Sequence, residues 1–325
     1  DNDEVNGSKL TKSRVFTYKK ASLKELIAHK DVENEKIKSG INQSLLLTEE
    51  IQKEIEQLNK LMLENKKITW QEKQKAKEIL KKQKELEKQI LNTQKNNSKN
   101  LKNQKELNSS FLEKQKKLEE LMNKVLDEEL KNILEEMEKM ITEADKEKLK
   151  DLLEKLDKEN VNLEKELDRE LELFKQLEFD QKLEEILDEI AALNKKQEEL
   201  KNKTKQKTGK DLVEDQEKIN NKMDDVQKNL DQLREKNMQL EDKNEMPKTQ
   251  DLEKNIQQNM QKSKDALQKK MKKKSIKAQD NAINNLEKLS EKLKGMQQSA
   301  EDDKPIEDIE TLRKILENLI TLSFD

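Results

Sequence analysis

The sequence has no cysteine, four glycines, two prolines and one histidine among its 325 residues. Without cysteine the chain can form no disulfide, thiolate nucleophile or cysteine-ligated metal site. So few glycines and prolines argue against an ordinary loop-rich enzyme fold, because tight turns depend on these residues. The same scarcity does not indicate disorder, since leucine and isoleucine recur at helical spacing instead of being depleted.

Apolar residues are also scarce: 31% of the chain is hydrophobic, 2% is aromatic and 43% is charged. An average globular domain is about 45–50% apolar and about 25% charged. This content is too low for one thick core, but it is sufficient for narrow seams along long helices. No stretch approaches the roughly 20 consecutive apolar residues that cross a bilayer.

The charges that replace the missing apolar residues are nearly balanced, with 68 basic and 71 acidic residues and a formal net charge of −3. Interleaved charges of both signs are typical of solvated, salt-bridged helix faces. They do not indicate a chain that binds DNA through its overall charge. Only four of the basic residues are arginine, so bidentate recognition of phosphates or carboxylates is also not favoured.

Apolar residues in the stretch 163–200 recur at steps of three and four. They are Leu163, Leu167, Leu171, Phe174, Leu177, Leu183, Ile186, Ile190, Leu193 and Leu200. This spacing predicts one apolar stripe on a charged helix, which must bury that stripe against other helices. Most of the chain repeats the pattern with short breaks, which favour antiparallel neighbours. We therefore predict an all-α protein of long, charged antiparallel helices in an elongated, coiled-coil-like bundle.

Residues 1–20 depart from this pattern. DNDEVNGSK is rich in turn residues, and residues 14–19, RVFTYK, are β-branched and aromatic. One strand is not stable alone, so we interpret residues 1–20 as the end of an upstream β-sandwich domain. The apolar residues directly before Asp325 suggest that the C-terminal end is also cut, and the chain is interpreted as a fragment of a longer protein.

The remaining residues divide into three predicted helical segments: 21–145, 146–210 and 211–325. The first segment has a break near 66–69, where Thr69 and Glu72 form a capping box that starts a helix at Trp70. Trp70 is predicted to pack at the joint between the two helices. Polar residues at 92–110 predict either a loose linker or a weak, solvated helix.

Further breaks are predicted at 158–162, at 201–210, near Pro247 and near 303. Between Leu212 and Leu240 the seam alternates steps of four and three, with Gln216 and Asn237 at seam positions. Buried polar residues can fix helix register, so Asn237→Leu is expected to stabilise the helix and loosen its register. One long helix with an eleven-residue rhythm is predicted for 250–298.

No residue pattern indicates catalysis. His29, the only histidine, lies in a polar stretch, and the paired glutamates fit solvated helix faces better than acid–base pairs, which need a pocket. There is no glycine-rich phosphate loop and no zinc-protease motif. We predict no enzyme activity, no cofactor and no metal site.

Five residues are candidates for interaction. Phe174 and Phe179 flank Leu177 and mark either a wider core or, less favoured, a partner site. Lys269, Lys273 and Lys277 share one sector of a lysine-rich helix. We interpret this sector as a solvated face that does not bind nucleic acid tightly, because it lacks aromatic residues, and that adheres at most weakly to anionic lipid.

Four segments resemble a family of large Bacteroidota membrane proteins that is known only as a domain of unknown function. They are DNDEVNGSK with VFTYK, ITWQEKQKAKEILKKQKELEKQI, LEKELDRELELFKQLEFDQKLEE and the terminal LRKILENLITLSFD. The resemblance implies a cell-envelope protein anchored by membrane helices outside this fragment, with Ig-like material followed by charged helices on the periplasmic side. It transfers no catalytic residue.

Two functions of different classes follow. The first is a scaffolding segment of a bacterial cell-envelope protein that contacts other envelope proteins, with homo-oligomerisation left open. The alternative is a holdase-like chaperone that clamps unfolded clients between helical arms. Exposed apolar seams would favour the chaperone, and buried seams would favour the scaffold.

Overall fold

The computed structural model describes residues 2–3, 7–8, 23–64, 67–103, 116–120, 128–207 and 209–302. Within these ranges the long helices are α1 (Leu23–Glu64), α2 (Trp70–Asn103), α3 (Glu128–Glu143), α4 (Lys146–Gln206), α5 (Lys210–Met238), α6 (Gln250–Gln268) and α7 (Lys272–Asp302). Residues 116–120 are also helical. More than two-thirds of the chain lies in these helices, which confirms the all-α prediction.

The first two strands are short and pair with each other. β1 (Asn2–Asp3) and β2 (Gly7–Ser8) form an antiparallel ladder in which Asn2 faces Ser8. The predicted strand at 14–19 and the predicted break near 303 lie outside the described residues.

A first antiparallel four-helix bundle contains α1, α2, α3 and the first half of α4. In it α1 and α3 each contact α2 and α4. Gln89 Nε2 of α2 donates to Gln43 Oε1 of α1 at 2.8 Å, and Gln52 Nε2 of α1 donates to Glu164 Oε2 of α4 at 2.8 Å. The cluster of buried apolar residues in this bundle ends at Leu177.

One glycine allows α1 and α2 to approach closely. A side-chain carbon added at Gly40 would lie 2.3 Å from Thr93 Oγ1 of α2. A glycine inside a helix is destabilising by about 0.5–1 kcal/mol relative to alanine. Here the glycine leaves room for the Thr93 side chain, which packs directly against the backbone of α1.

A second antiparallel four-helix bundle contains the second half of α4 with α5, α6 and α7. Contacts run from α4 to α5, from α5 to α6, from α6 to α7 and from α7 back to α4. The buried apolar cluster of this bundle begins at Phe179. The two cores therefore divide within α4, between Leu177 and Phe179.

Helix α4 presents two apolar stripes where the sequence analysis predicts one. The first stripe contains Leu167, Phe174 and Leu177, and the second begins with Phe179 and Leu183. Two residues correspond to a rotation of about 200° around a helix. The second stripe therefore lies on the side of α4 opposite to the first stripe. The middle of α4 is consequently buried on most of its circumference.

The predicted break at 158–162 is wrong, because α4 is continuous from Lys146 to Gln206. Asn160 is fully buried, four residues after Leu156 and three before Leu163, so it continues the first stripe. This stretch contains no glycine or proline, and seam packing outweighs the weak helix propensity of asparagine.

The turns between α1 and α2, between α4 and α5 and between α5 and α6 lie where the sequence predicts breaks. α1 ends at Glu64 and α2 begins at Trp70, and non-helical residues separate α4 from α5 and α5 from α6. The capping box at Thr69 is present: the Glu72 N–H donates to Thr69 Oγ1 at 3.2 Å, and the Thr69 N–H donates to Glu72 Oε2. Trp70, however, is 76% exposed, so the prediction that it packs at the joint is wrong.

The predicted single helix over 250–298 is two helices. α6 ends in a turn at Lys269–Lys270 with Lys270 at φ 55°, a left-handed conformation. The Met271 N–H donates to Ala266 O at 2.7 Å and the Lys270 N–H to Leu267 O at 3.0 Å, which is the hydrogen-bond pattern of a Schellman motif. The left-handed residue of this turn is a lysine, whereas such motifs usually have glycine there. The sequence therefore has no glycine from which the turn could be predicted.

Candidate functional site

Phe174 and Phe179 are core residues. Phe174 is 4% exposed in the first apolar cluster and Phe179 is 1% exposed in the second. They lie on α4 at either side of the division between the bundles, and this burial agrees with the interpretation of a wider core. Neither side chain is accessible to a partner in this structure.

Glu178 lies between these aromatic residues and connects three helices. It is 5% exposed, and its carboxylate contacts Lys236 Nζ of α5 at 3.1 Å and Lys38 Nζ of α1 at 3.5 Å. Burial alone would lower the pKa of Lys38, but hydrogen bonds and charges from Glu35 and Glu178 raise it above its ordinary value. One carboxylate thus ties α1 of the first bundle and α5 of the second bundle to α4.

Further polar contacts surround Glu178 on α4. Lys182 Nζ of α4 donates to Asn229 Oδ1 of α5 at 2.9 Å, and Asn229 Nδ2 donates to Glu189 Oε2 of α4 at 2.7 Å. These two hydrogen bonds hold α5 against α4. Lys30 of α1 forms a 2.8 Å ion pair with Glu185. We call this set of contacts between α1, α4 and α5 the polar junction. It joins the two bundles through side chains in addition to the continuous backbone of α4.

A buried polar layer crosses the core of the second bundle. Gln216 of α5 and Gln197 of α4 exchange two hydrogen bonds, of 2.8 and 3.2 Å. Ser263 Oγ of α6 donates to Gln216 Oε1 at 2.8 Å and lies 3.0 Å from Ser275 Oγ of α7. Gln279 Nε2 of α7 reaches the same Gln216 oxygen at 3.4 Å. Every helix of the bundle contributes to this layer.

The apolar spacing identified Gln216 as a seam residue, but it did not identify Gln197, Ser275 or Gln279. A signal was present, because Ser275, Gln279, Ala282 and Leu286 follow steps of four and three. Because one continuous helix was predicted over 250–298, the new seam that begins with α7 was not recognised.

Asn237 has a different role from the one predicted. Its Nδ2 donates to Asn244 O at 2.9 Å, and its Oδ1 accepts from the Asn244 N–H at 2.9 Å. It therefore anchors the connection between α5 and α6 and does not fix the register between helices. The prediction that Asn237→Leu stabilises the protein is revised below.

The first bundle buries polar groups without such partners. Both polar atoms of Gln83 and of Asn160, and Oε1 of Glu170, are buried with no hydrogen-bond partner in the described part of the chain. Desolvation, with a smaller contribution from Glu166, raises the pKa of Glu170 to about 8. Glu170 is thus predominantly protonated at neutral pH in the folded protein.

A concentration of lysine lies at the end of the second bundle that is farthest from the first. It consists of exposed or half-exposed residues at the turns α4–α5 and α6–α7, namely Lys205, Lys207, Lys210, Lys269, Lys270, Lys272, Lys273, Lys274 and Lys277. We call this surface the basic tip. Lys272 Nζ donates to the Lys205 carbonyl oxygen, which places the two lysine-rich segments side by side.

Acidic neighbours neutralise only part of the basic tip. Lys207 pairs with Asp211, and below the tip Lys201 pairs with Asp280 at 3.0 Å. Within the described residues, no carboxylate pairs with Lys269, Lys273 or Lys277. The structure therefore brings the three predicted lysines together with a second basic segment, but not with Phe174 or Phe179.

A surface groove runs between α1 and α2, with a volume of about 1160 Å³. Its lining is mostly charged and amide side chains, including Asp31, Glu35, Lys36 and Lys88. Burial raises the pKa of Asp31, although Lys182 and Lys236 oppose that shift. No group of three or more potential metal ligands occurs among the described residues.

The comparisons with known proteins find no match: no family model, no curated protein and no solved structure matches this chain. The resemblance to the Bacteroidota family therefore stays a prediction. None of the described helices combines the length and the apolar character that crossing a membrane requires.

Proposed function

We propose that this chain is a rigid scaffolding segment of a bacterial cell-envelope protein that holds contact surfaces at a fixed separation. The observation that carries the proposal is the continuous helix α4, which supplies one wall to each of two bundles. A helix of 61 residues is about 92 Å long at 1.5 Å per residue. The polar junction resists bending at the level where the two bundles meet.

The burial of the apolar seams supports a scaffold over a holdase. The exposed large apolar residues of the described chain are Val32, Leu46, Leu63, Trp70, Leu91, Val161, Met238 and Met271. The residues three and four positions after each of them are polar. They do not form an exposed stripe along a helix, which a clamp for unfolded clients would need.

The location of this scaffold in the cell envelope rests on the resemblance of the sequence segments alone. The same holds for its proposed partners, which are other envelope proteins. The buried carboxylates Glu170 and Glu178 do not line the groove between α1 and α2, and the proposal includes no catalytic step.

A client-aggregation assay separates the two functions. A heat-denatured model client is incubated with equimolar protein, and its light scattering is followed. The scaffold predicts no suppression beyond that of an equal mass of an inert protein. A matched variant, Leu63→Ser with Trp70→Ser, should behave like the wild type. Stoichiometric suppression that this variant loses would contradict the scaffold and favour the holdase.

A further inference from the structure

The basic tip is strongly cationic on a chain whose formal net charge is −3. Lys269, Lys270, Lys273, Lys274 and Lys277 are all exposed, and in the part of the chain that the structure describes they form no ion pair. Elsewhere many lysines pair with a carboxylate one helical turn away, as Lys60 does with Glu56. The tip is therefore available to an external anionic surface.

Two local features of the tip oppose folding stability. Lys270 adopts a left-handed backbone conformation at φ 55°, which is unfavourable for a residue other than glycine. Lys272, Lys273 and Lys274 occupy the first turn of α7, where the helix dipole favours acidic residues and disfavours cations. A negatively charged partner would compensate for the second of these unfavourable features directly.

An apolar side chain lies in the middle of this charge. Met271 follows Lys270 at the α6–α7 turn and is 43% exposed. It is flanked by lysines on both sides in the sequence KKMKKK. A flexible apolar residue inside a basic cluster suits the boundary between lipid headgroups and acyl chains.

We propose that the basic tip docks the second bundle end-on onto a bilayer that contains anionic lipid. Lysines would lie among the headgroups, and Met271 would enter the boundary below them. The far end of the first bundle, with the α1–α2 turn and Trp70, would then project about 90 Å from the bilayer along α4. This inference adds a membrane contact within the chain to the proposed scaffold and does not depend on the anchoring predicted outside it.

The residue types favour lipid over nucleic acid. All cations of the tip are lysine, which acts as a point charge and gives no bidentate readout of phosphates or bases. No aromatic residue of the tip offers a stacking platform, which single-stranded nucleic acid requires. A diffuse, laterally mobile anionic surface needs neither feature.

Vesicle sedimentation tests the proposal. The full chain is mixed with vesicles of phosphatidylcholine containing about 30% phosphatidylglycerol, and with vesicles of phosphatidylcholine alone. We expect binding to the first, weakening as salt rises, and none to the second. The variant Lys269→Gln with Lys273→Gln and Lys277→Gln should bind about a hundredfold more weakly, at about fivefold for each lysine near the surface.

A second triple variant controls for net charge. Lys155, Lys158 and Lys165 are exposed on α4 in the first bundle, so their change to Gln removes the same charge from another surface. This control should bind vesicles like the wild type. Equal weakening by both triple variants, or equal binding to both kinds of vesicle, would overturn docking through the tip.

Tryptophan fluorescence tests the orientation. The only tryptophan, Trp70, lies at the opposite end of the molecule, so its emission should not change on vesicles. A Met271→Trp variant made with Trp70→Phe should show a blue shift on anionic vesicles. A shift of Trp70 without a shift at position 271 would overturn end-on docking.

A duplex titration decides between the two kinds of polyanion. Fluorescence anisotropy with a generic labelled duplex at about 150 mM salt should show no submicromolar binding. Submicromolar binding that the Lys269, Lys273 and Lys277 variant abolishes, together with weak vesicle binding, would replace the lipid with nucleic acid as the partner.

Discussion

The two bundles differ in how completely their buried polar residues are hydrogen-bonded. In the second bundle Gln216, Gln197, Ser263, Ser275 and Gln279 hydrogen-bond to one another across all four helices. In the part of the chain that the structure describes, both polar atoms of Gln83 and of Asn160 and Oε1 of Glu170 in the first bundle lack protein partners, whereas in the polar layer of the second bundle Oε1 of Gln279 alone does.

This difference separates two effects of a polar residue at a seam position. A satisfied network contributes to stability and penalises wrong alignments, because every other register leaves its members unpaired. An unpaired amide or carboxyl group only opposes folding, by about 1–3 kcal/mol for each group. The second bundle should therefore be the more stable and more uniquely aligned half of the molecule.

The largest expected effect comes from Glu170 in the first bundle. Its pKa is about 8 in the folded protein and 4.5 as an ordinary glutamate. Below pH 4.5 the group is protonated in both states and has no effect. Between pH 4.5 and 8 only the unfolded state ionises, so stability falls as pH rises. Above pH 8 both states are ionised, and the loss in the free energy of unfolding stays constant.

The variant Glu170→Gln keeps the neutral form and should escape this loss. At pH 9 it should be more stable than the wild type by on the order of 5 kcal/mol, and near pH 4 the two should be similar. Urea denaturation followed by circular dichroism measures the difference. The matched change Glu253→Gln in the second bundle breaks the buried pair with Arg234 and should destabilise at pH 9 instead.

The next largest effect should follow from Gln216→Leu. This change removes the hydrogen bonds to Gln197, Ser263 and Gln279. It leaves both polar atoms of the Gln197 side chain buried without these partners, while Ser263 keeps its contact with Ser275 and Gln279 keeps its contact with Thr204. We expect a loss of about 3 kcal/mol in the free energy of unfolding. Gln83→Leu in the first bundle is the control, and it should be neutral or stabilising. If both variants lose the same stability, the contrast between the bundles does not exist.

The smallest of these effects compares one substitution in both bundles. Asn160→Leu removes an unpaired buried amide and should stabilise by about 1–2 kcal/mol. Asn237→Leu removes two hydrogen bonds to Asn244 and should destabilise by about 1–2 kcal/mol. Thermal melting of the two variants would show shifts of opposite sign. A gain from Asn237→Leu would restore the original interpretation of this residue as a register device.

Features set by local sequence could be predicted. The all-α class follows from apolar spacing, and the start of α2 follows from the side chains of Thr69 and Glu72, which cap their own helix. The α5 seam was readable because no break interrupts its alternating steps. These features depend on residues within one or two helical turns of each other.

Features set by packing between distant segments could not be predicted. The change of stripe after Leu177 reflects which helices cover each side of α4. The spacing of apolar residues does not reveal which helix packs against which side. The turn at Lys270 carries no glycine. The basic tip was predicted as one helix face, but it combines two segments about 60 residues apart in the sequence, and only the helix order places them together.

The proposed scaffold requires α4 to be one rigid helix through both bundles. Because the chain contains no cysteine, spin labels on Lys158→Cys and Glu199→Cys would be unambiguous. These exposed positions are 41 residues apart on α4, which corresponds to about 62 Å. Pulsed electron resonance should give one narrow distance distribution near that value. A broad distribution that extends well below about 50 Å would mean a hinge between the bundles and would contradict the account.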